Sequence, residues 1–290
     1  MQGKLTSSPH SRHTPRARRP LELLHSDVCY AGVPSLAGCQ HFVTVLDDYS
    51  GYAAAVPVRH KGQAAQVVQQ VVQQWEVQLE RSMVRLRTDR GGEYMGAELQ
   101  RWMQSKGVTH KTTAPYSPQS NGKAERLNHT LWGRVRACLS DAQLPLQFWG
   151  EAVKAVAMVR NMVARKERPI TPHQLMRGIA PDVSGLRVYG CTAWVRLEGA
   201  QLQGKSKAAS RAVAGVLVGY EASSKQYRVA FPKGAGWEVR VSRSVLFDES
   251  VPAFSQYGDS TGKPHWPAHG AQQQCKQGLG ECGPLQGWGQ

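Results

Sequence analysis

The sequence predicts a mixed α/β domain over residues 20–182, followed by a small β-rich domain over 183–250. Three observations predict it. Apolar positions first run at strand spacing in three successive segments, then alternate between helical and strand spacing, and from about residue 185 occur only as short β-like runs between Gly- and Ser-containing turns. A basic arm (1–19) and a tail rich in Gly, Gln and Pro (251–290) flank these domains; both lack the apolar content to fold alone, and the tail is expected to be disordered.

Taken in order, LELLHSDVCYA and HFVTVLDDYSG read as two strands joined by the turn-rich GVPSLAG, with YAAAVPV as a third. Residues 63–80 set Ala64, Val68, Val71, Trp75 and Leu79 at helical spacing, with glutamines on much of the other face, which makes an amphipathic helix for one side of a sheet. In SMVRLRTD, Val84 and Leu86 alternate with Arg85 and Arg87, so a strand delivers Asp89 at its C-terminal end. Gly91 and Gly92 let the chain turn there. AELQRWMQSKG reads as a short helix stopped by Gly107, and VTHKTTA as a further strand. After the loop PYSPQSNG come helices at about 122–140 and 145–164, with Pro169 and Pro172 ending the helical region. This order fits an RNase H-like fold. RVYGCTAWVRL, AVAGVLVGY, QYRVAFP and WEVRVSRSVLF then supply a small SH3-like, barrel-like unit.

The 36 Lys and Arg outnumber the 21 Asp and Glu, for a formal net charge of +15, which favours a polyanionic partner such as nucleic acid. No run of about 18 apolar residues occurs and the N-terminus lacks the apolar centre of a signal peptide, so a soluble intracellular protein is expected. Cys29, Cys39, Cys138, Cys191, Cys275 and Cys282 are too scattered for a secreted disulfide scaffold and are expected as thiols.

Three acids stand where separate elements can bring them to one point: Asp27 in the first strand, Asp89 at the end of a later one, and Glu125 near the start of the helix after PYSPQSNG. Mg²⁺ or Mn²⁺ takes carboxylate oxygens and keeps positions for water and phosphate. Two such ions stabilise both the attacking and the leaving oxygen of a displacement at phosphorus. Along the helix, Ala124, Leu127, Leu131, Val135 and Cys138 form an apolar stripe, and Glu125, His129 and Arg136 fall off its centre. Lys123, Arg126 and Arg134, with Asn121 at the helix entry, are the candidate DNA contacts, positioning phosphates without reading sequence. A lone acid on a helix is ordinarily just solvated. The joint spacing singles these out, with 61 residues between Asp27 and Asp89 and 35 between Asp89 and Glu125.

The second interval, with TDRGGEY around the Asp and PYSPQSNGKAERLN around the Glu, resembles the D,D(35)E signature of retroviral and retrotransposon integrases. PLELLHSDV, HFVTVLDDYSGY, PLQFWGEAV, the later YGC and VGY, and SVLFDE narrow the resemblance to the copia class of LTR retrotransposons, over about residues 18–250. The resemblance implies a DDE polynucleotidyl transferase that trims the 3′ ends of element DNA and joins them to target DNA. Water or a DNA 3′-hydroxyl is the nucleophile, and no covalent enzyme intermediate forms. It further implies two Mg²⁺ or Mn²⁺ ions on Asp27, Asp89 and Glu125, a homo-multimer, and a nuclear location with a cytoplasmic phase. The family carries an N-terminal zinc-binding His/Cys module, and this sequence begins just after where its last cysteines would lie; no reverse transcriptase motif follows. Arg90 stands where Asn is usual, and Tyr30 and Ala31 where Gly-Pro is frequent. A second expectation therefore accompanies the first: a degenerate or co-opted fragment that binds DNA without integrating it. A generic nuclease on RNA–DNA hybrids is a third, opposed by PYSPQSNGKAER and FWGEAV.

Other chemistry-bearing residues have plainer readings. Asp47 and Asp48 precede Tyr49, Ser50 and Gly51, where turn capping is expected ahead of metal binding. Glu93 reads as exposed or as a neighbour of Asp89, and Asn121 as a helix cap. His265, His269, Cys275 and Cys282 are zinc-binding types at unsuitable spacing. Cys29 and Cys39, and Trp102, Trp132, Trp149 and Trp194, are read as packing residues.

Overall fold

The computed structural model describes residues 16–112, 121–164, 168–197, 211–221, 225–234 and 236–253. The arm before residue 16, the loop at 113–120 and the tail with its His and Cys residues lie outside the described residues.

Strands β1 (Leu23–Tyr30), β2 (His41–Asp47) and β3 (Ala53–Val58) form the expected antiparallel meander. Helix α1 (Ala64–Leu79) crosses over to β4 (Arg85–Thr88), which pairs parallel with β1, a connection that two parallel neighbours require. After the one-turn α2 (Gly92–Met95) and α3 (Ala97–Ser105), β5 (Thr109–Thr112) completes a sheet of order β3-β2-β1-β4-β5. The Gly91–Gly92 turn thus opens a helical turn rather than only a bend, because Tyr94 beyond it is drawn fully into the core.

Period-2 alternation sorts β2 between two cores. Val43 and Val45 join Val68, Val72, Trp75, Leu86 and Leu99 beneath α1 and α3. Phe42 and Leu46 join Leu131, Val135, Trp149 and Val153 beneath α4 (Gly122–Asp141) and α5 (Trp149–Met162). Both faces of the sheet are covered, which is why β2 is almost continuously buried. Each fully buried Leu or Phe contributes roughly 1.5–3 kcal/mol.

Pro172 does not end the helical region: α5 stops at Met162, and Pro172 opens a further short helix, α6 (Pro172–Arg177). Proline suits a first helical position, whose N–H has no helical partner anyway, and Thr171 caps the turn by accepting the Gln174 N–H.

The second sheet comprises β6 (Cys191–Arg196), β7 (Ala212–Tyr220), β8 (Tyr227–Lys233), β9 (Gly236–Ser242) and β10 (Val245–Pro252), antiparallel throughout, in the order β10-β6-β7-β8-β9. WEVRVSRSVLF is therefore two strands, divided at Arg243 and Ser244. Those two strands occupy opposite ends of the order, about 19 Å apart were the sheet flat. Three peptide steps reach only about 11 Å. The sheet must curl on itself, as a barrel-like unit does.

The two sheets share one core. Val216, Val218 and Ala230 belong to the same cluster as Leu131 and Trp149, Trp237 stands edge-on to Phe148 at 5.1 Å, and Arg228 grips Glu151 of α5 through two hydrogen bonds of 2.7 and 3.1 Å. Gly190, at φ +84°, lies so close to α4 that an added Cβ would stand 2.2 Å from the Ala142 methyl. Among the described residues, no helix is long and apolar enough to cross a membrane.

Candidate active site

Parallel pairing places the two aspartates. β1 and β4 run in a register that matches Leu23 with Arg85, Leu24 with Leu86 and His25 with Arg87. Carried on at the same offset, that register sets Asp27 level with Asp89, on neighbouring strands in the middle of the sheet. The Asp27 carboxylate lies on the α4 side, where Asn128 Nδ2 donates to its Oδ2 at 3.0 Å. Asn128 is itself held by Thr44, whose hydroxyl donates to Asn128 Oδ1 at 2.8 Å. Asp89 closes its own turn by accepting the Gly91 N–H at 3.0 Å. A Cβ built at Gly91 would stand 2.7 Å from the Glu93 carboxyl carbon, which places Glu93 beside the Asp89 turn.

Glu125 stands in the first turn of α4 and is exposed, accepting no hydrogen bond from a described residue. His129 and Arg136 are exposed with it, while Ala124, Leu127, Leu131 and Val135 are buried, as the stripe predicted. Cys138 is only half-buried, and Leu139 completes the buried face.

Asp27 feels the charges of the other two acids. Burial pushes the Asp27 carboxyl up, and the negative charges of Asp89 and then Glu125 raise it further; the Val28 N–H and Asn128 pull it back, leaving it at about 6. Charge of one sign is thus concentrated without a compensating cation from the described residues. An all-oxygen, electron-rich donor set of this kind suits a hard divalent ion. The described residues nevertheless contain no group of three His, Cys, Asp or Glu side chains gathered closely enough to hold an ion as they stand.

The candidate DNA contacts divide. Arg126 and Arg134 are exposed on α4. Asn121 and Lys123 are engaged elsewhere. Asn121 is 1% exposed, and its amide donates to the Ser26 carbonyl at 3.2 Å rather than capping the helix. Lys123 pairs with the buried Asp48. Asp47 is the turn cap that sequence indicates, accepting the Ser50 N–H at 2.7 Å and its hydroxyl at 2.6 Å, as well as the Leu21 N–H at 2.9 Å. Asp48 instead bonds across the molecule. Cys29 and Cys39 are free thiols, and Trp149 is fully buried.

Sequence reasoning overlooked several supports. Asn128 had a usable signal: a polar residue falling within the helix's apolar stripe. The support beneath Asp89 had none. Gln100 Nε2 donates to His110 Nδ1 at 3.0 Å, so His110 Nε2 carries the proton facing Thr88 Oγ1 at 2.9 Å, and Thr88 in turn donates to the Asp89 carbonyl at 2.7 Å. Under β1, the Tyr94 hydroxyl meets Ser26 Oγ at 2.9 Å.

An α/β core with paired strand-borne aspartates and a fused antiparallel sheet defines the class, and the domain matches agree. Residues 17–118 match the Integrase core domain family, and residues 191–261 match the Retroviral polymerase SH3-like domain family. The chain thus carries a match to an integrase core followed by a match to an SH3-like domain, and it is similar to retrotransposon Pol polyproteins. It is 34% identical over 232 residues to the Retrovirus-related Pol polyprotein from transposon TNT 1-94 of Nicotiana tabacum, covering 79% of this chain and 17% of that protein. It is 27% identical over 275 residues to the corresponding polyprotein from transposon RE2 of Arabidopsis thaliana, covering 90% of this chain and 18% of that one. The chain thus spans under a fifth of each relative's length. Among solved structures, the simian T-cell lymphotropic virus intasome in complex with PP2A regulatory subunit B56 gamma matches with a TM-score of 0.49 and 18% identity, covering 81% of each chain.

Proposed function

We propose that this chain is the catalytic part of a copia-class retrotransposon integrase, performing metal-dependent 3′-end processing of element DNA and its transfer into target DNA. The observation that carries this reading is the level placement of Asp27 and Asp89 on parallel neighbours, with Asp27 pushed up to about 6 by burial and by the nearby acids. Asp27, Asp89 and Glu125 are the residues that would hold Mg²⁺ or Mn²⁺. When bound, two such ions supply activation of the attacking oxygen and stabilisation of the leaving one.

The chain's own residues prepare that centre. Asn128 and Thr44 orient Asp27. The Gly91 N–H and the Thr88–His110–Gln100 chain orient Asp89 and its strand end. Glu125, exposed on α4, closes on the pair by side-chain rotation. Arg126 and Arg134 meet DNA phosphates, and the net charge of +15 draws DNA in. Joining two element ends calls for more than one copy of the chain, working in the nucleus after a cytoplasmic phase.

The test is a strand-transfer and disintegration assay with Mg²⁺ or Mn²⁺, run beside Asp89→Asn and Glu125→Gln. Metal-dependent joining that both variants abolish is the expected result. Joining that survives either substitution would remove that residue from the site. One observation favours a second reading, a DNA-binding fragment without joining activity: the three acids do not close into a metal cluster as they stand. Salt-sensitive DNA binding with no metal-dependent cleavage or joining would decide for it.

A further inference from the structure

Adjacent aspartates at the end of β2 do different jobs. Asp47 serves its own turn, whereas Asp48, 3% exposed, collects donors from three separate segments. Its Oδ2 accepts the Ala17 N–H at 2.9 Å, from the stretch that leads into β1. Its Oδ1 meets His25 Nε2 at 2.9 Å, from β1 itself, and Lys123 Nζ, from the first turn of α4. Arg16 Nε adds a bond of 3.1 Å to the Asp48 carbonyl.

Charge decides which of these contacts matters most. Burial by itself would raise the Asp48 carboxyl, but the hydrogen bonds from His25 and Lys123 hold it well below the usual carboxylate range, so it is a full anion. His25 is buried against that carboxylate, and its Nδ1 is buried without a partner among the described residues. Lys123 is the lysine ion-paired with the Asp48 carboxylate. An ion pair with one buried member costs far more to break than a surface pair, because a charge is left stranded. Lys123 stands two residues before Glu125, in the same helical turn, and Asn121 adds a second tie from the helix entry to the Ser26 carbonyl of β1. Those ties leave the first turn of α4 little freedom to shift along the strand that carries Asp27.

We propose that Asp48 is a positioning residue for the metal-binding acids: through Lys123 it sets the first turn of α4, and with it Glu125, against Asp27, and so withholds Lys123 from DNA phosphate. This rests on the carboxylate site proposed above, and the experiment separates the two. Mn²⁺ affinity of the full chain is measured for the unmutated protein, Glu125→Gln, Lys123→Met, Asp48→Asn, the Lys123→Met/Asp48→Asn double variant and Lys123→Arg. Duplex DNA affinity is measured across salt without divalent metal, and melting is followed throughout.

Glu125→Gln weakens Mn²⁺ binding if the site is correct. Positioning predicts that Lys123→Met and Asp48→Asn each weaken it by about tenfold or more, as losses of groups that orient metal ligands do. The double variant is then no worse than the weaker single one, Lys123→Arg recovers most of the affinity, and the salt slope of DNA binding stays unchanged. A purely structural Asp48 would lower the melting temperature and leave Mn²⁺ affinity of the folded protein intact, which overturns the proposal. So would a Lys123→Met protein with normal Mn²⁺ affinity and a DNA salt slope reduced by about one, the mark of a phosphate contact. If Glu125→Gln leaves Mn²⁺ binding unchanged, the carboxylate site itself falls, and the positioning proposal with it. Should Asp48→Asn fail to fold, the two Lys123 variants carry the test, since that side chain reaches solvent.

Discussion

Asp27 and Asp89 at the centre of the first sheet, and Asp47 and Asp48 at its β2–β3 turn, are four acids within one sheet that the fold treats in opposite ways. Asp47 and Asp48 are the more deeply buried pair, at 0% and 3% exposure, and each accepts three hydrogen bonds through its carboxylate. Asp27 and Asp89 are half-buried and receive few donors, and the charges around Asp27 are mostly negative. Depth of burial therefore does not separate the candidate-site acids from the turn acids. Donor supply does: a carboxylate with both oxygens engaged by three donors has little left to offer, whereas one with few donors and like charges around it is available to a cation.

Each way of breaking that contrast has a size. The largest effect falls on chemistry: Asp27→Asn lowers metal-dependent joining by about a thousandfold, equivalent to the several kcal/mol that a metal site supplies at phosphorus. A single-turnover joining assay reads it, and a loss below tenfold would mean that Asp27 holds no essential ion. Next comes stability, where the two pairs should differ in sign. Asp48→Ala leaves the buried Ala17 N–H and His25 unpartnered, costing about 1–3 kcal/mol for each in urea unfolding, while Lys123 turns to solvent. Asp27→Asn in metal-free protein at pH 7 instead stabilises, by about 2 kcal/mol once the partial exposure of Asp27 is allowed for.

The smallest effect is the pH dependence behind that gain. A carboxyl raised in the folded state from 3.8 to about 6 costs nothing below the unfolded value, since both states are then protonated. As pH rises from about 4 to about 6 the unfolded chain ionises first, so the folded state loses stability progressively, and the loss is complete above 6. Metal-free unfolding followed between pH 4 and 7 should show this decline, superposed on the other groups, and the difference between unmutated protein and Asp27→Asn isolates it. Saturating Mn²⁺ should flatten the difference, because an ion that binds only the folded form takes the place of the proton. A pH-independent difference would contradict the charge coupling at Asp27.

Much of the candidate site was readable in one dimension for a physical reason. The interval between Asp27 and Asp89 is the offset of the parallel β1–β4 pairing, so the spacing already encodes which residues stand level. Glu125 was readable because helical periodicity separates an exposed face from the apolar stripe of α4. Asn121 and Lys123 were ambiguous because a polar residue at a helix start looks the same whether it caps, binds phosphate or reaches back to a distant strand. Their partners, the Ser26 carbonyl and Asp48, are 95 and 75 residues away. The helical start at Pro172 was missed for a related reason: proline both ends helices and begins them, and only the Thr171 cap distinguishes the two.

What the sequence by itself determined are the properties that local periodicity and spacing carry: an α/β core ahead of a β-rich unit, the order of its strands and helices, the buried stripe of α4, and three acids at an integrase-like interval. Tertiary structure alone decided which acids collect several donors and which few, that the second sheet shares a core with the first and is tied to it by Glu151 and Arg228, and that Lys123 pairs with Asp48. These depend on groups far apart in the chain, and hydrogen bonding and charge pairing leave no periodic trace in a sequence.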